Sequence, residues 1–258
     1  EVGAAIFFDG KKEAQGEDIL IERVGVRGSN GTQADGVTVN FFSQVTIRKS
    51  SFCKLRFGSD GVHVRGGVGI LIEDNYMRGT HEQGVHLTDA SGELRHNRLI
   101  RGALCLGLRE EGLRVHVQGQ INQTNTPNFP GPVVVWNNDI SGYEQGIRIP
   151  DRDGVQIIGN YLHDNRTGLK IDYEANEAVV AYNTIARNAS AGISGEAALE
   201  CVPFVVTELR GNLFVANGGY NIGFDNPAAS MPRVEHNLHF GTNNVCAPKP
   251  ACLGSPVY

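Results

Sequence analysis

The chain of 258 residues has two methionines and one tryptophan, and it has neither a long apolar run nor an excess of positive charge. No stretch of 18 apolar residues occurs, so the sequence contains no candidate membrane-spanning helix. The net charge of −5 argues against general nucleic-acid binding, although a local basic patch is compatible with it. What remains is a chain long enough for one large domain with a substantial core.

Cysteine is also scarce, with five residues and no Cys-x-x-Cys pair, which argues against a zinc ribbon. Cys246 and Cys252 flank the segment Ala-Pro-Lys-Pro-Ala. They either close a small loop as a disulfide or remain separate thiols. Cys53, Cys105 and Cys201 are expected to be small core residues.

Glycine, at 33 residues, and asparagine are abundant, and both belong to a repeating unit. The unit reads apolar-x-apolar, Asn, one or two apolar residues, a turn, and then Gly-apolar-x-apolar. It occurs as ILIEDNYMRGTHEQGVHL at 70–87, VQIIGNYLHDNRTGLKI at 155–171 and AVVAYNTIARNASAGIS at 178–194. Alternation with a period of two indicates strands, not helices. The repeated asparagines are expected to form a structural ladder of amide hydrogen bonds, from Asn75 through Asn97, Asn138, Asn160, Asn183 and Asn212 to Asn237.

This repeat resembles the right-handed parallel β-helix superfamily, which includes pectate lyases, alginate lyases, mannuronan epimerases and polygalacturonases. The resemblance extends from about residue 18 to about residue 240 and is specific for the fold and weak for the function. We therefore predict an all-β, right-handed parallel β-helix solenoid of about 9–10 coils. A single domain over residues 1–258 is expected, with one long inserted loop at 109–131. We also expect a secreted or cell-surface location, or a periplasmic one, and a chain that is part of a longer protein.

In this superfamily the outer face of the strands that correspond to Gly-apolar-x-apolar usually carries the substrate groove. Alignment of these strands places seven residues in the middle outward position: Thr38, His63, His86, Gly107, Arg148, Lys170 and Ser194. The inserted loop is expected to lie beside this groove, because it follows one of the aligned strands directly. The predicted substrate-binding residues are polar residues on or near the face, namely His63, Arg65, Arg109, Glu82, Glu144 and Asp172.

The run of basic groups favours β-elimination on a uronate-containing polysaccharide. We expect no nucleic acid as a partner. That reaction needs a cation to neutralise the substrate carboxylate, a base for the C5 proton and an acid for the leaving oxygen. Arg148 is predicted to supply the cation and Lys170 the base, because a neighbouring positive charge favours a neutral lysine. His86 or Tyr173 would supply the acid.

No metal motif is visible, but a calcium ion held by Glu82, Glu144 or Asp172 is compatible with the sequence.

Two other functions remain open. A glycoside hydrolase needs paired carboxylates, which Glu82 could form with Asp60 or Glu144. Ser-Asp-Gly-Val-His-Val at 59–64 resembles the first polygalacturonase element, yet His-Glu-Gln-Gly follows where that family has Asp-Asp, and the Asp-Pro-His-Asp motif of mannuronan epimerases is missing. A non-catalytic β-helix, such as a glycan-binding module or a surface fibre, is the second alternative.

Overall fold

The computed structural model describes residues 3–10, 16–28, 34–55, 60–80, 82–101, 111–116, 131–150, 152–172, 177–195, 208–224 and 233–241. These residues form strands and turns, and none of them is helical. Accordingly, the described ranges contain no helix that is long and apolar enough to cross a membrane.

The strands form a sixteen-stranded sheet with two arms and a separate nine-stranded sheet, and all paired strands in both are parallel. The arm that contains the Gly-apolar-x-apolar strands, here the Gly-strand arm, comprises β1 (Gly3–Asp9), β4 (Ala34–Asn40), β7 (Val62–Glu73), β9 (Gln83–Arg95), β11 (Glu111–His116), β14 (Gln145–Ile149), β17 (Thr167–Ile171), β20 (Ala191–Gly195) and β23 (Tyr220–Phe224). The second arm shares the long strands β7 and β9 and adds β2 (Gly16–Glu22), β5 (Phe42–Arg48), β12 (Val133–Trp136), β15 (Gln156–Ile158), β18 (Val179–Ala181), β21 (Glu208–Arg210) and β24 (Arg233–Glu235).

The nine-stranded sheet closes each coil on the remaining side. It comprises β3 (Gly25–Arg27), β6 (Ser51–Cys53), β8 (Tyr76–Arg78), β10 (Arg98–Ile100), β13 (Asp139–Ser141), β16 (Tyr161–His163), β19 (Thr184–Ala186), β22 (Leu213–Val215) and β25 (Leu238–Phe240). Its nine strands mark nine successive coils within the described residues. The predicted all-β, parallel β-helix fold is confirmed.

The predicted asparagine ladder runs through the turn between the second arm and the nine-stranded sheet. Each Asn side chain donates its amide N–H to the amide oxygen of the Asn one coil further on, at 2.9–3.0 Å from Asn75 to Asn237. Each also donates to a strand carbonyl of the previous coil, as Asn160 does to Val135 at 2.8 Å. The asparagines are 1–5% exposed, so the ladder pairs polar groups that water does not reach.

Glycine is needed near the start of β4, β7, β9, β11, β14, β17 and β20 in the Gly-strand arm, because successive coils approach closely there. A Cβ atom on Gly146 would lie 2.5 Å from the carbonyl oxygen of Gly168. The apolar residue that follows each glycine points inward and stacks on its counterpart, as Ile147 does between Leu113 and Leu169. All three are at most 2% exposed, and burial of each side chain contributes roughly 1.5–3 kcal/mol. The glycine and apolar columns thereby fix which residues alternate outward.

Candidate functional site

One outward position of the Gly-strand arm is occupied by polar side chains on consecutive coils. Strand pairing places His63 beside His86, His86 beside Arg114, and Arg114 beside Arg148. Arg148 in turn pairs with Lys170. The column continues to Thr38 at one end and to Ser194 at the other. We call His63, His86, Arg114, Arg148 and Lys170 the basic column.

The central member of this column is Arg114, and the prediction of Gly107 at this position is wrong. Gly107 was expected there, and residues 109–131 were expected to form a loop. Strand β11 pairs with both β9 and β14 through Glu111–His116, so Arg114 occupies the position between His86 and Arg148. Gly107 lies outside the described residues, as do residues 117–130 of the expected insertion.

At one end of the column, two histidines and an aspartate form a compact cluster. The rings of His63 and His86 are stacked, with centroids 4.4 Å apart and planes 8° from parallel. The Oδ2 atom of Asp60 lies 3.1 Å from Nδ1 of His86 and 3.8 Å from Nδ1 of His63. Both Nδ1 atoms therefore face one carboxylate oxygen.

Neighbouring polar groups hold this cluster in place. The hydroxyl of Thr88 lies 3.2 Å from Nε2 of His86 and 3.4 Å from Nε2 of His63. The other oxygen of Asp60 accepts a hydrogen bond from the backbone N–H of Gln83 at 3.0 Å. Asp35 accepts the backbone N–H of Asp60 at 2.8 Å, and its second oxygen lies 3.9 Å from Nδ1 of His63.

Burial favours the uncharged forms of all three groups. It raises the pKa of Asp60 well above its ordinary value, against the opposing effect of His63. Burial and then the neighbouring His86 lower the pKa of His63. Burial, reinforced by the charge of Arg114, lowers the pKa of His86 to about 4. Both imidazoles are therefore neutral at neutral pH and present lone pairs rather than a positive charge.

The other end of the column is organised by buried carboxylates. Arg148 donates to Asp172 from Nε at 2.9 Å and to Glu111 from Nη1 at 3.2 Å. Burial opposes the charged guanidinium, but Asp172 and Glu111 outweigh it and hold the pKa of Arg148 above its ordinary value. Asp172 Oδ1 also lies 3.6 Å from Nζ of Lys170. Asp172 thus bridges Arg148, which was predicted to neutralise a substrate carboxylate, and Lys170, which was predicted to remove the C5 proton.

Arg114 differs from Arg148 because it makes no ion pair with any carboxylate among the described residues. Its Nε atom is buried and has no hydrogen-bond acceptor within that part of the chain. The centre of the basic column is therefore a cation that has no carboxylate partner among the described residues. Arg65 lies on the same face, where its guanidinium stacks over the ring of Phe41 at 5.7 Å.

Two predicted carboxylates, Glu82 and Glu144, do not converge on the column. Glu82 is exposed, and Glu144 pairs with Arg166 at 2.6 Å. Glu82, Glu144 and Asp172 form no three-residue metal cluster within the described ranges. Asp60, His63 and His86 are the one such group there. Tyr173 and Arg109 lie outside the described residues, as do Cys246 and Cys252, whereas Cys53 is a free thiol.

Sequence reasoning missed Glu111 and Arg114 although a signal was present. Gly112-Leu113-Arg114-Val115 matches the Gly-apolar-x-apolar pattern better than Cys105-Leu106-Gly107-Leu108 does. A second signal is the residue before each glycine, where Asp35, Asp60, Gln83, Glu111 and Gln145 occupy equivalent positions. Gln83 donates to Glu111 across one coil at 2.6 Å, which links the two ends of the column.

Several solved structures share this fold, and their names describe them as enzymes. The enzymatically active domain of tailspike protein 2 from bacteriophage CBA120 aligns with a TM-score of 0.57 and 11% identity over 86% of this chain and 35% of that one. The A-module of mannuronan C-5 epimerase AlgE6 from Azotobacter vinelandii aligns with a TM-score of 0.50 and 19% identity, over 91% of this chain and 65% of that one. A double mutant of the periplasmic alginate epimerase AlgG aligns with a TM-score of 0.53 and 15% identity over 84% of this chain and 58% of that one.

The chain thus spans between 35% and 65% of the length of these structures, and at such low identities the likeness establishes the fold alone. No curated protein matches the chain in sequence. The model of the family described as "Right handed beta helix region" matches residues 115–247, slightly more than half of the sequence. The chain therefore belongs to the right handed beta helix region family.

Proposed function

We propose that this protein is a polysaccharide lyase that cleaves a uronate-containing polysaccharide by β-elimination along the Gly-strand arm. The observation that carries the proposal is the register of His86, Arg114, Arg148 and Lys170 on four consecutive strands. With parallel strands spaced about 4.8 Å apart, the column from His63 to Lys170 extends over roughly 19 Å. An extended acidic chain can place several sugar units along that length.

Arg114 is proposed to bind the uronate carboxylate. Neutralising that carboxylate makes the C5 proton more acidic, which is the electrostatic part of β-elimination. Arg114 suits this role better than Arg148, because Arg148 already pairs with Glu111 and Asp172. Arg148 is then a positioning residue that holds Asp172 beside Lys170.

Lys170 remains the proposed base and Tyr173 the proposed acid. Lys170 adjoins Arg148 in the column, and its side chain is 17% exposed. The acid role that the sequence allowed for His86 fits less well. With its pKa lowered to about 4, His86 has no proton to donate as an imidazolium at neutral pH.

The structural neighbours support a carbohydrate-active function. Two of them are by name a mannuronan C-5 epimerase and an alginate epimerase. Removal of the proton at C5 begins both epimerisation and β-elimination of a uronate, so the same basic groups serve either reaction. One neighbour is also described as periplasmic, in keeping with our proposal of a secreted, cell-surface or periplasmic location.

The test is to incubate the protein with alginate, pectate and glycosaminoglycans and to record the ultraviolet absorbance of unsaturated uronate ends. We expect activity on one of these polymers, and its loss in Lys170→Ala and in Arg114→Gln. Arg98→Gln is the matched control, because Arg98 is an exposed cation on the nine-stranded sheet, paired with Asp139. Full activity in Lys170→Ala would remove Lys170 as the base.

Other readouts distinguish the alternatives. New reducing ends without ultraviolet absorbance would identify a hydrolase, for which Asp60 has the raised pKa expected of an acid and Asp35 is a nearby second carboxylate. An altered ratio of C5 epimers without cleavage would identify an epimerase. Retained binding with no chemical change would identify a glycan-binding module.

A further inference from the structure

The cluster of Asp60, His63 and His86 brings two imidazoles and a carboxylate together at one end of the basic column. One ligand-type atom of each residue lies within 4.8 Å of the corresponding atoms of the other two. We propose that these three side chains bind a divalent transition-metal ion such as Zn²⁺. The site differs in residues and in ligand chemistry from the calcium site considered from the sequence.

The first reason is convergence. The Nδ1 atoms of His63 and His86 face the same oxygen of Asp60, at 3.8 Å and 3.1 Å. Ligands about 2.0–2.2 Å from a shared ion lie roughly 3–3.5 Å apart, and the two stacked rings must tilt from parallel so that both Nδ1 lone pairs meet at that ion. A proton between Asp60 and His86 would make a hydrogen bond within that pair alone. It leaves Nδ1 of His63 at 3.8 Å from the carboxylate, beyond hydrogen-bonding distance.

The second reason is the orientation of the ligands by groups behind them. Histidines that bind metals usually donate the N–H of the other ring nitrogen to an acceptor, which fixes the tautomer. The hydroxyl of Thr88 lies within 3.4 Å of both Nε2 atoms and can accept both of their N–H groups. Both Nδ1 lone pairs then point toward Asp60, whose second oxygen is held by the backbone N–H of Gln83.

The third reason is the position of the cluster on the fold. His63 and His86 are adjacent rungs of a parallel sheet, and Asp60 and Gln83 precede the glycines that start these two strands. The side chains are partly or largely buried, with exposures of 25% for His63, 14% for His86 and 6% for Asp60. A site built on paired strands holds its ligands more rigidly than a loop does.

The donor set selects the class of ion. Imidazole nitrogen suits zinc and its first-row neighbours, whereas calcium prefers six to eight oxygen ligands. Three protein ligands leave at least one coordination position open, and the next rung of the column is Arg114. The ion would therefore lie at one end of the groove, where an anionic group could complete its coordination. Metal binding does not depend on which reaction the groove performs.

The experiment uses the full chain, stripped with a chelator and titrated with Zn²⁺ by calorimetry. We expect one tightly bound ion, and a loss of affinity of about ten-fold or more in each of Asp60→Asn, His63→Gln and His86→Gln. His163→Gln is the matched control. His163 also contacts two aspartates, Asp139 and Asp164, but through opposite ring nitrogens, so they cannot share one ion with it.

X-ray absorption of the zinc-loaded wild-type protein provides a readout that needs no variant. Two imidazole nitrogens and a carboxylate oxygen around the ion would support the site, and their absence would overturn it. The proposal also fails if the wild-type protein retains no Zn²⁺, or if the three ligand variants fold and bind it as tightly as the wild type. Calcium in place of zinc should bind far more weakly at this site.

Discussion

The imidazole rings of His63 and His86 lie on adjacent coils, stacked 4.4 Å apart, with both Nδ1 atoms turned toward Asp60. This arrangement follows from the β-helix register, because the spacing between paired strands is close to the stacking distance of aromatic rings. The same register carries the column on to Arg114, Arg148 and Lys170. One face of the solenoid therefore combines a metal-type cluster with a row of cations.

Removing the hydroxyl that supports both histidines should weaken zinc binding without unfolding the protein. Thr88→Val keeps the side-chain shape but deletes the oxygen near both Nε2 atoms, so the ring orientations are no longer fixed. We expect Zn²⁺ affinity to fall about ten-fold or more by calorimetry. Thr184→Val, on the nine-stranded sheet, should leave the affinity unchanged. Equal affinity in Thr88→Val and wild type would show that Thr88 does not orient the ligands.

Arg114 should govern the binding of acidic polymers. Arg114→Gln removes the central cation of the column, and with it the charge-assisted contact to a uronate that we propose for this residue. We expect weaker binding of the acidic polymer in calorimetry, with a smaller dependence on salt concentration than in wild type. Arg114→Lys should restore part of the affinity, because it returns the charge without the two-pronged geometry. Unchanged binding in Arg114→Gln would place the polymer elsewhere.

Breaking the asparagine ladder at its centre should destabilise the fold. The amide of Asn160 bridges Asn138 and Asn183 and also donates to Val135, so Asn160→Ala leaves several buried groups without partners. We expect the free energy of unfolding to fall by about 2–4 kcal/mol in urea titrations. Asn40→Ala removes an exposed hydrogen bond to Asp9 and should change it by less than about 0.5 kcal/mol. Similar losses in both variants would argue against a special role for the ladder.

The glycine column should tolerate no side chain. Gly146→Ala would place a Cβ atom 2.5 Å from the Gly168 carbonyl oxygen, which forces two coils apart. We expect a loss of about 1–3 kcal/mol in unfolding free energy. Gly25→Ala is the control, because its Cβ would meet only Ser51 Oγ at 3.6 Å, and its stability should be equal or slightly higher. If Gly146→Ala were as stable as Gly25→Ala, the coils would not be locked at this point.

Acid should weaken the surface network of Asp164, His163 and Arg187 beside the nine-stranded sheet. The hydrogen bond from Arg187, opposed by burial and reinforced by the hydrogen bond from His163, lowers the pKa of Asp164 to about 2. Because this pKa lies below its ordinary value of 3.8, the stabilisation is present above pH 3.8 and is lost as the pH falls through about 2. Asp164→Asn should remove this part of the pH dependence in unfolding experiments. Its amplitude should be below about 1 kcal/mol, because the side chain is 49% exposed.

The fold could be predicted because its determinants are local and repeated. Alternation of apolar residues, the glycine at each strand start and the recurrent asparagine all lie within one repeat, and the structure confirms each. The same period of two correctly indicated that His63, His86, Arg148 and Lys170 point outward. The boundary of the insertion was placed wrongly, because two segments near it carry similar patterns and the poorer match to the repeat was taken as the strand.

Arg114 shows this limit most clearly. Its place in the basic column depends on which segment pairs with β9. The sequence pattern favours Gly112–Val115 over Cys105–Leu108, and the tertiary structure establishes that Glu111–His116 is the paired strand.

The sequence by itself determined the solenoid, the identity of the stacked core and the face on which the polar side chains gather. Only the tertiary structure decided that Asp60 turns toward His63 and His86, that Glu111 and Asp172 engage Arg148, and that Arg114 faces no carboxylate among the described residues. The physical reason is that the contacts of Asp60 with His86 and of Arg148 with Glu111 and Asp172 cross from one coil to the next. Such contacts depend on inter-coil register and side-chain direction, which no single repeat encodes.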